Sequence, residues 1–577
     1  MDSFVAKQEL KNWKFTLDQT CVGEAGGWAT EQIDDSNWLE VTAPSAWETY
    51  EHALRDYEGC GWFRTRFLWD ATAQEHCILR FDGAGGAAKI YVNGVFAGSN
   101  TDRYIPFSVD ATPFVHTGEN LVAVQVDNTF LGKDHLPGCT TVEWVLYGGL
   151  THRIFVEKQS ACHLESVCVR AEADGTATVT ATVENRSDKH FSGVMTIELN
   201  DSAEVSVSCP SGEKVEVAVK TYCENITPWS PACPQLYDFT AQLRDSTEVL
   251  DSYSTRVGYR TVETRGTELY LNGKPIYFKG VNRYDEFDPY GMCPPEEEVR
   301  KEFLQMKQMG VNLIRTHFPQ DDMYYRLADE IGIMYMIEVP LNWWYPKMDE
   351  EFSQFAVLAQ EAVADLEATF RFFCNHPCWT VWSVSNECTY QAPAAQQMFR
   401  MLAKRMRELD CRRLITCVIF QILRNETDLD FCDFISMNYY NGARANCVEE
   451  LDEKFDVLEQ KLKLAEKLYP NKPHVLTEFG VCAVRGFTGG PTEGRFSEDF
   501  AATYLRELLK RQDRYDSLIR GKIIWCWADY RHYRGFVMDG LGLQAVYGPW
   551  GLVTIDRKPK PKLIAALKEH FAEKGEG

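Results

Sequence analysis

No stretch of this 577-residue chain approaches the roughly 18 consecutive apolar residues of a membrane-spanning helix, so no span is expected. No run of five or more Lys and Arg occurs, and 60 basic residues face 84 acidic ones, a net charge of −24. Long-range attraction to nucleic acid or to an anionic bilayer then has no source, so neither is expected as a partner. The opening Met1-Asp2-Ser3-Phe4-Val5-Ala6-Lys7 has no apolar core of the kind secretion signals carry. The 19 cysteines are scattered and form no Cys-x-x-Cys pair, the usual sequence mark of a zinc or redox centre. They are expected to be reduced thiols in a cytoplasmic protein. Histidines number only 12, and no His-x-His closes a strand-like segment. A metal-dependent barrel hydrolase is therefore disfavoured, and no cofactor or metal is expected.

Aromatic residues, by contrast, are plentiful at 13%, which suits a binder of flat, partly apolar ligands and also suits large cores. The length implies three or four domains. Up to about residue 158, short alternating runs such as 63–67, 89–92 and 121–126 are broken by turn residues, with Asn93-Gly94 the clearest turn. This pattern predicts a β-sandwich or jelly roll over 1–158. Alternation continues at 177–183 and 215–219, so 159–260 is expected to be an immunoglobulin-like sandwich. From 261 to 577 strand-like and helix-like segments alternate. Strands are expected at 276–281, 312–315, 334–337, 380–384, 414–419, 434–437, 474–476 and 522–527. Helices are expected at 294–309, 352–373, 394–409, 448–468 and 498–512, with no clean helix between 421 and 433. Eight strands with intervening helices predict a (β/α)8 barrel.

Two of these strands end on acids. Trp382-Ser383-Val384-Ser385-Asn386-Glu387 closes the fourth, and Leu476-Thr477-Glu478-Phe479-Gly480 closes the seventh. A strand buried on both faces accommodates a charge cheaply only at its tip, and barrel chemistry gathers at the C-terminal tips. A facing pair of carboxyls is what glycoside cleavage needs, one protonated and one ionised. At about 5 Å and an effective dielectric near 20, two carboxylates repel by roughly 3 kcal/mol, enough to keep one of them protonated near neutral pH.

Together with Leu271-Asn272-Gly273-Lys274-Pro275, Lys279-Gly280-Val281-Asn282-Arg283, Arg315-Thr316-His317-Phe318-Pro319, Glu338-Val339-Pro340 and Asp556-Arg557-Lys558-Pro559-Lys560, these acids make a specific pattern. From about residue 10 to 570 the chain resembles the retaining β-glycosidases of glycoside hydrolase family 2, which includes β-galactosidases and β-glucuronidases. The resemblance implies a jelly roll, an immunoglobulin-like sandwich and a catalytic barrel. It implies Glu387 as acid/base, Glu478 as nucleophile, Asn386 on the sugar 2-hydroxyl and Tyr440 hydrogen-bonded to the nucleophile. Arg315 would lie beside the nucleophile as a fixed cation. His317, Asn438 and Glu143 would contact sugar hydroxyls, although a structural histidine and a solvated surface acid are the alternatives for His317 and Glu143. Trp525, Trp527 and Asp529 share parity and hence a strand face, from which an indole would stack on the sugar. The implied partner is a small-molecule or oligosaccharide glycoside, with a homo-oligomer expected and the acidic, aromatic loop 51–58 as a possible neighbour contact.

Departures bear on the sugar. β-Glucuronidases usually carry Asn-x-Lys before the segment matching 554–559, whereas this chain has Gly548-Pro549-Trp550-Gly551, so Trp550 is expected as an apolar wall. Asn282-Arg283-Tyr284 replaces the common Asn-Arg-His, and Arg-Thr-His-Phe-Pro is one residue short, which could move His317. A β-galactoside or similar neutral glycoside is the leading substrate. A β-glucuronide or β-galacturonide held by Arg531 and Arg534 is the alternative, and a non-catalytic carbohydrate-binding protein is the alternative of another class.

Overall fold

Asn93 and Gly94 both adopt left-handed backbone (φ 51° and 83°) and close a two-residue hairpin between Ala87–Val92 and Val95–Asn100, the turn an Asn-Gly pair favours. The computed structural model, which describes residues 7–70, 75–420, 428–489, 494–538 and 543–574, places this hairpin at one edge of a six-stranded sheet. That sheet runs Leu39–Thr42, Asn12–Asp18, Cys60–Trp69, Gly118–Asp127, Ala87–Val92, Val95–Asn100. It faces a four-stranded sheet of Lys7–Glu9, Ile154–Ser160, Glu75–Phe81 and Phe107–Asp110, and Trp13, Phe63, Leu79, Phe81 and Val124 fill the space between them.

The middle unit follows from strict period-two patterning. In Thr176–Asn185 the buried positions are Ala177, Val179, Ala181, Val183 and Asn185, while the intervening threonines and glutamate are partly exposed. Three antiparallel strands (Cys162–Ala171, Thr176–Asn185, Lys214–Tyr222) pack against four (Asp201–Cys209, Phe191–Leu199, Tyr237–Arg244, Val249–Val257). Seven strands in two sheets are the immunoglobulin-like arrangement.

The barrel closes in sequence order: β1 (Phe278–Asn282), β2 (Leu313–Thr316), β3 (Met334–Glu338), β4 (Trp379–Asn386), β5 (Leu414–Phe420), β6 (Ile435–Asn438), β7 (His474–Glu478) and β8 (Ile519–Ile524). Every residue of β1, β2, β3, β4, β6 and β7 is buried, because helices cover the outside and side chains fill the inside. The helices are α1 (Glu296–Gln308), α2 (Asp322–Ile331), α3 (Ala356–Phe373), α4 (Pro393–Leu409), α5 (Leu451–Leu468), α6 (Glu498–Gln512) and α7 (Pro561–Glu573). Local signals set their ends. The Asp321 carboxylate accepts the Met323 N–H to open α2, and Gly332 closes it at φ 80°.

The architecture matches the expectation, with local differences. β8 lies three residues earlier than the Lys522–Trp527 segment, because pairing with β7 begins at Ile519 and leaves the apolar Trp525-Cys526-Trp527 beyond the strand. Helices α2 and α7 were not among the expected ones; α2 has only 10 residues, too few for a clear period. Residues 421–427 lie outside the described residues, and 428–433 carry no helix. All 19 cysteines are free thiols. No described helix is long and apolar enough to cross a membrane.

The two sandwiches meet opposite ends of the barrel. The middle one docks where β4 begins, with the Arg260 Nε donating to the Pro377 carbonyl (2.7 Å). The first reaches the C-terminal mouth through Cys139, Val142, Trp144 and Leu146, which pack on Phe318 just after β2.

Candidate active site

Glu387 follows the last residue of β4 in left-handed backbone (φ 49°), a conformation that costs a non-glycine residue on the order of 1 kcal/mol or more and clusters at functional sites. Its amide is fixed on the Val418 carbonyl (2.9 Å). The side chain accepts two hydrogen bonds, from Asn438 Nδ2 to Oε1 (2.7 Å) and from Trp343 Nε1 to Oε2 (3.0 Å). Burial, and then the charge of Glu478, push this carboxyl up to about 8, against the two hydrogen bonds. At neutral pH Glu387 is therefore a protonated acid.

Glu478 ends β7 and has different company. Its Oε1 accepts from Arg315 Nη1 (2.7 Å), and its Oε2 accepts from the Tyr440 hydroxyl (2.6 Å). Burial, reinforced by Glu478 and Glu387, lifts the Tyr440 phenol well above its usual value, so it stays a donor. Arg315, fully buried in β2, is the hub of the site. It also donates to Glu338 Oε2 (2.9 Å), Asn386 Oδ1 (2.8 Å) and Asn282 Oδ1 (3.1 Å). Burial would raise the Glu338 carboxyl, but Arg315, the His317 ring and the Ser383 hydroxyl outweigh it and hold it below the ordinary carboxylate range. His317 Nδ1 lies 2.8 Å from Glu338 Oε1, and its Nε2 lies 3.8 Å from Glu478 Oε1.

Asn386 is held on both sides. Its Oδ1 accepts from Arg315 and from Asn438 Nδ2 (3.2 Å), and its Nδ2 donates to Asn342 Oδ1 (2.7 Å). A continuous relay thus runs from Glu478 through Arg315, Asn386 and Asn438 to Glu387. A cation serving two carboxylates at full burial is costly to break, because either acid left behind is a desolvated charge.

Aromatic rings surround this polar centre. Trp525 packs 5.3 Å from His317 and edge-on to Tyr284 (5.5 Å) and Tyr530 (5.9 Å). Trp550 meets Tyr440 edge-on at 5.7 Å. Glu143 comes from the first domain, accepts from the Tyr530 hydroxyl (3.3 Å) and lies 3.6 Å from His532 Nε2. Its neighbour Trp144 stacks on the His317 ring at 6.0 Å.

Glu387, Glu478, Tyr440, Asn386, Asn438, Arg315 and His317 are thus brought together, and Trp525, Trp550 and Glu143 stand around them. Two expectations are corrected. Trp525 and Trp527 do not share a strand face: the strand ends at Ile524, Trp527 is buried in the barrel core, and Asp529 pairs with Lys560 (2.6 Å). Arg531 is not at the acids. Its guanidinium donates to Asp56 Oδ1 (2.7 Å) and the Arg55 carbonyl (2.8 Å), beside a separate cleft of about 430 Å³ lined by Glu48, Tyr147 and Glu286. The Arg534 side chain lies outside the described residues. Sequence reasoning missed Glu338, a charge in an otherwise apolar strand, and Trp343, whose position depends on a loop turn at φ 52° that no motif announces.

Residues 262–573 match the family model described as "Glycosyl hydrolases family 2, TIM barrel domain". Residues 162–260 match "Glycosyl hydrolases family 2", and residues 8–134 match its "sugar binding domain". A β-galactosidase of Thermoanaerobacter pseudethanolicus is 31% identical over 61% of this chain and 48% of its own length, so the chain spans about half of that relative. A β-glucuronidase of Paenibacillus borealis is 27% identical over 98% of this chain and 96% of its own. Among solved structures, a β-glucuronidase from Ruminococcus gnavus in complex with D-glucaro 1,5-lactone superposes with a TM-score of 0.86 (24% identity, 99% of this chain and 98% of that one). A family 2 β-galacturonidase from Eisenbergiella tayi bound to galacturonate gives 0.84 (23% identity, 99% and 97%). At these identities the structural likeness speaks to the fold.

Proposed function

This chain belongs to glycoside hydrolase family 2, and from that we propose that it is a retaining exo-β-glycosidase working by double displacement, with Glu478 as nucleophile and Glu387 as acid/base. The observation that carries the assignment of roles is the asymmetry of the two acids. Glu387 is pushed up to about 8 and suited to protonating a leaving oxygen, while Glu478 has both oxygens fixed by donors, a guanidinium on one and a phenol on the other. In the first step Glu478 attacks the anomeric carbon as Glu387 gives its proton to the departing aglycone oxygen. In the second, the Glu387 carboxylate takes a proton from water, which attacks the same carbon and frees Glu478. Asn386, fixed by Arg315, Asn438 and Asn342, would present its amide to the sugar 2-hydroxyl, where a hydrogen bond strengthens in the transition state.

For the sugar, a β-D-galactoside or similar neutral glycoside remains our lead. Trp550 stands beside Tyr440 where β-glucuronidases usually carry a lysine motif, and Arg531 is turned toward Asp56 and the Arg55 carbonyl instead. A β-glucuronide or β-galacturonide is the second reading, favoured by full-length likeness to enzymes so named. A panel of 4-nitrophenyl β-galactoside, β-glucoside, β-xyloside, β-glucuronide, β-galacturonide and α-arabinopyranoside decides between them, with NMR of the first-formed anomer. Hydrolysis of neutral members with the substrate's own anomeric configuration in the first product is the expected result. Turnover of uronides alone would discard the neutral lead, and an inverted first product would discard double displacement.

A further inference from the structure

Strand β1 ends on Asn282, a polar side chain only 1% exposed at the catalytic end of the barrel. Its amide nitrogen donates to two backbone carbonyls, those of Thr477 (2.9 Å) and Ile524 (3.1 Å), and its oxygen accepts from Arg315 Nη1 (3.1 Å). A backbone carbonyl can only accept and a guanidinium can only donate, so one orientation of the amide serves all three partners and the reverse serves none.

Each partner leads to a group of the site. The Thr477 carbonyl belongs to the residue before Glu478, and the Ile524 carbonyl to the residue before Trp525. Pairing of β7 with β8 stops at Leu476 and Lys522, so both carbonyls lie past that ladder and are joined through the Asn282 nitrogen instead. The main chain adds a further tie, from the Trp527 N–H to the Asn282 carbonyl (2.9 Å). On the other side, Arg315 Nε has no hydrogen-bond partner among the described residues, so its two Nη groups set the plane of the guanidinium. Nη2 is held by Glu338 and Asn386, and Nη1 by Glu478 and Asn282. Asn282 is thus the neutral acceptor that fixes Nη1 independently of the carboxylate it serves.

We propose, resting on the reading of Glu478 as nucleophile, that Asn282 is its positioning residue: one amide fixes both the main chain that carries Glu478 and the guanidinium that grips it. Attack on the anomeric carbon needs the Glu478 oxygen held in line, and a misplacement of about 1 Å costs on the order of 100-fold in rate. Asn282 acts through Glu478 and Arg315, so its removal should slow the attack and leave sugar binding nearly unchanged.

The test is covalent labelling of the full chain by 2-deoxy-2-fluoro-β-D-galactosyl fluoride and by its glucuronyl counterpart, followed by loss of activity and by peptide mass mapping. In that reaction an ester bond forms between Glu478 and the anomeric carbon as the carbon–fluorine bond breaks, and fluoride leaves as an anion without taking up a proton from Glu387. Wild type, Asn282→Ala and Asn282→Asp are compared, with folding checked by circular dichroism. The aspartate keeps the volume but, ionised, donates to neither carbonyl, so it serves where the alanine variant fails to fold. In each folded variant the limiting rate of labelling should fall about 100-fold, while the reversible constant Ki shifts by less than about threefold. A limiting rate within about threefold of wild type in a folded variant would overturn the role. So would an unchanged rate with a weakened Ki, which marks a sugar contact. Loss of native circular dichroism in both variants would overturn it as well, because Asn282 would then hold the barrel and not the nucleophile. A wild type that forms no adduct on Glu478 is a different failure: it removes the nucleophile reading itself, and the positioning role with it.

Discussion

Replacing Glu387 by Gln should remove turnover and, above neutral pH, make the protein more stable. The folded carboxyl sits at about 8 against an ordinary 4.5, so the native state binds a proton more tightly than the unfolded chain does. Stability from this group is therefore fully present below about pH 4.5 and is lost as pH rises toward 8. At about 1.4 kcal/mol per pH unit, the loss at pH 7.5 is about 4 kcal/mol. Glutamine carries no charge and escapes it. It loses something as well, since its NH2 either faces the Trp343 N–H or turns away from it, an unmade buried hydrogen bond of about 1–3 kcal/mol. The net gain is about 1–3 kcal/mol at pH 7.5, and at pH 5 the sign reverses because little ionisation penalty remains there. Urea unfolding of wild type and variant at pH 5.0, 6.5 and 7.5, at matched ionic strength, reads this difference directly. A variant-minus-wild-type stability that does not change across that range would refute the reasoning, because it would mean that Glu387 is not perturbed by its surroundings.

The same acid sets the alkaline limb of kcat/KM, which should fall with a midpoint near pH 8 in the free enzyme. Trp343→Phe removes a hydrogen bond that favours the ionised form and should move that limb upward by about half a pH unit or more, whereas a limb that stays put or moves down would separate Trp343 from Glu387. Arg315→Gln leaves Glu338 and Glu478 buried without their cation and should cost about 3–5 kcal/mol in urea unfolding at pH 7, with part of that loss recovered at low pH as the acids protonate. A loss independent of pH would point to packing instead.

The parts of this molecule that could be read from residues alone are those fixed by local rules. Asn93-Gly94 announced a hairpin because few other pairs tolerate left-handed backbone twice in succession. The tips of β4 and β7 stood out because an apolar strand ended on an acid in each case. Arg315 within β2 and Glu338 at the end of β3 obey the same rule, a charge on a buried apolar strand. What could not be read depends on distant partners. Arg531 looked like a free cation for a sugar carboxylate, but its own carboxylate, Asp56, lies 475 residues away in sequence. Trp525 and Trp527 looked like alternate positions of a strand, but pairing to β7 ended that strand at Ile524, and alternation stops where the ladder stops. Trp343 was silent because its place is set by the path of a loop.

Glu143 and Trp144 arrive at the catalytic mouth from the first domain, and Trp144 rests on His317. An excised barrel would therefore be an open bowl with one side missing, however well it folded. Selectivity can also drift by substitutions in a unit that never touches the reacting bond, leaving the acids and their guanidinium unchanged.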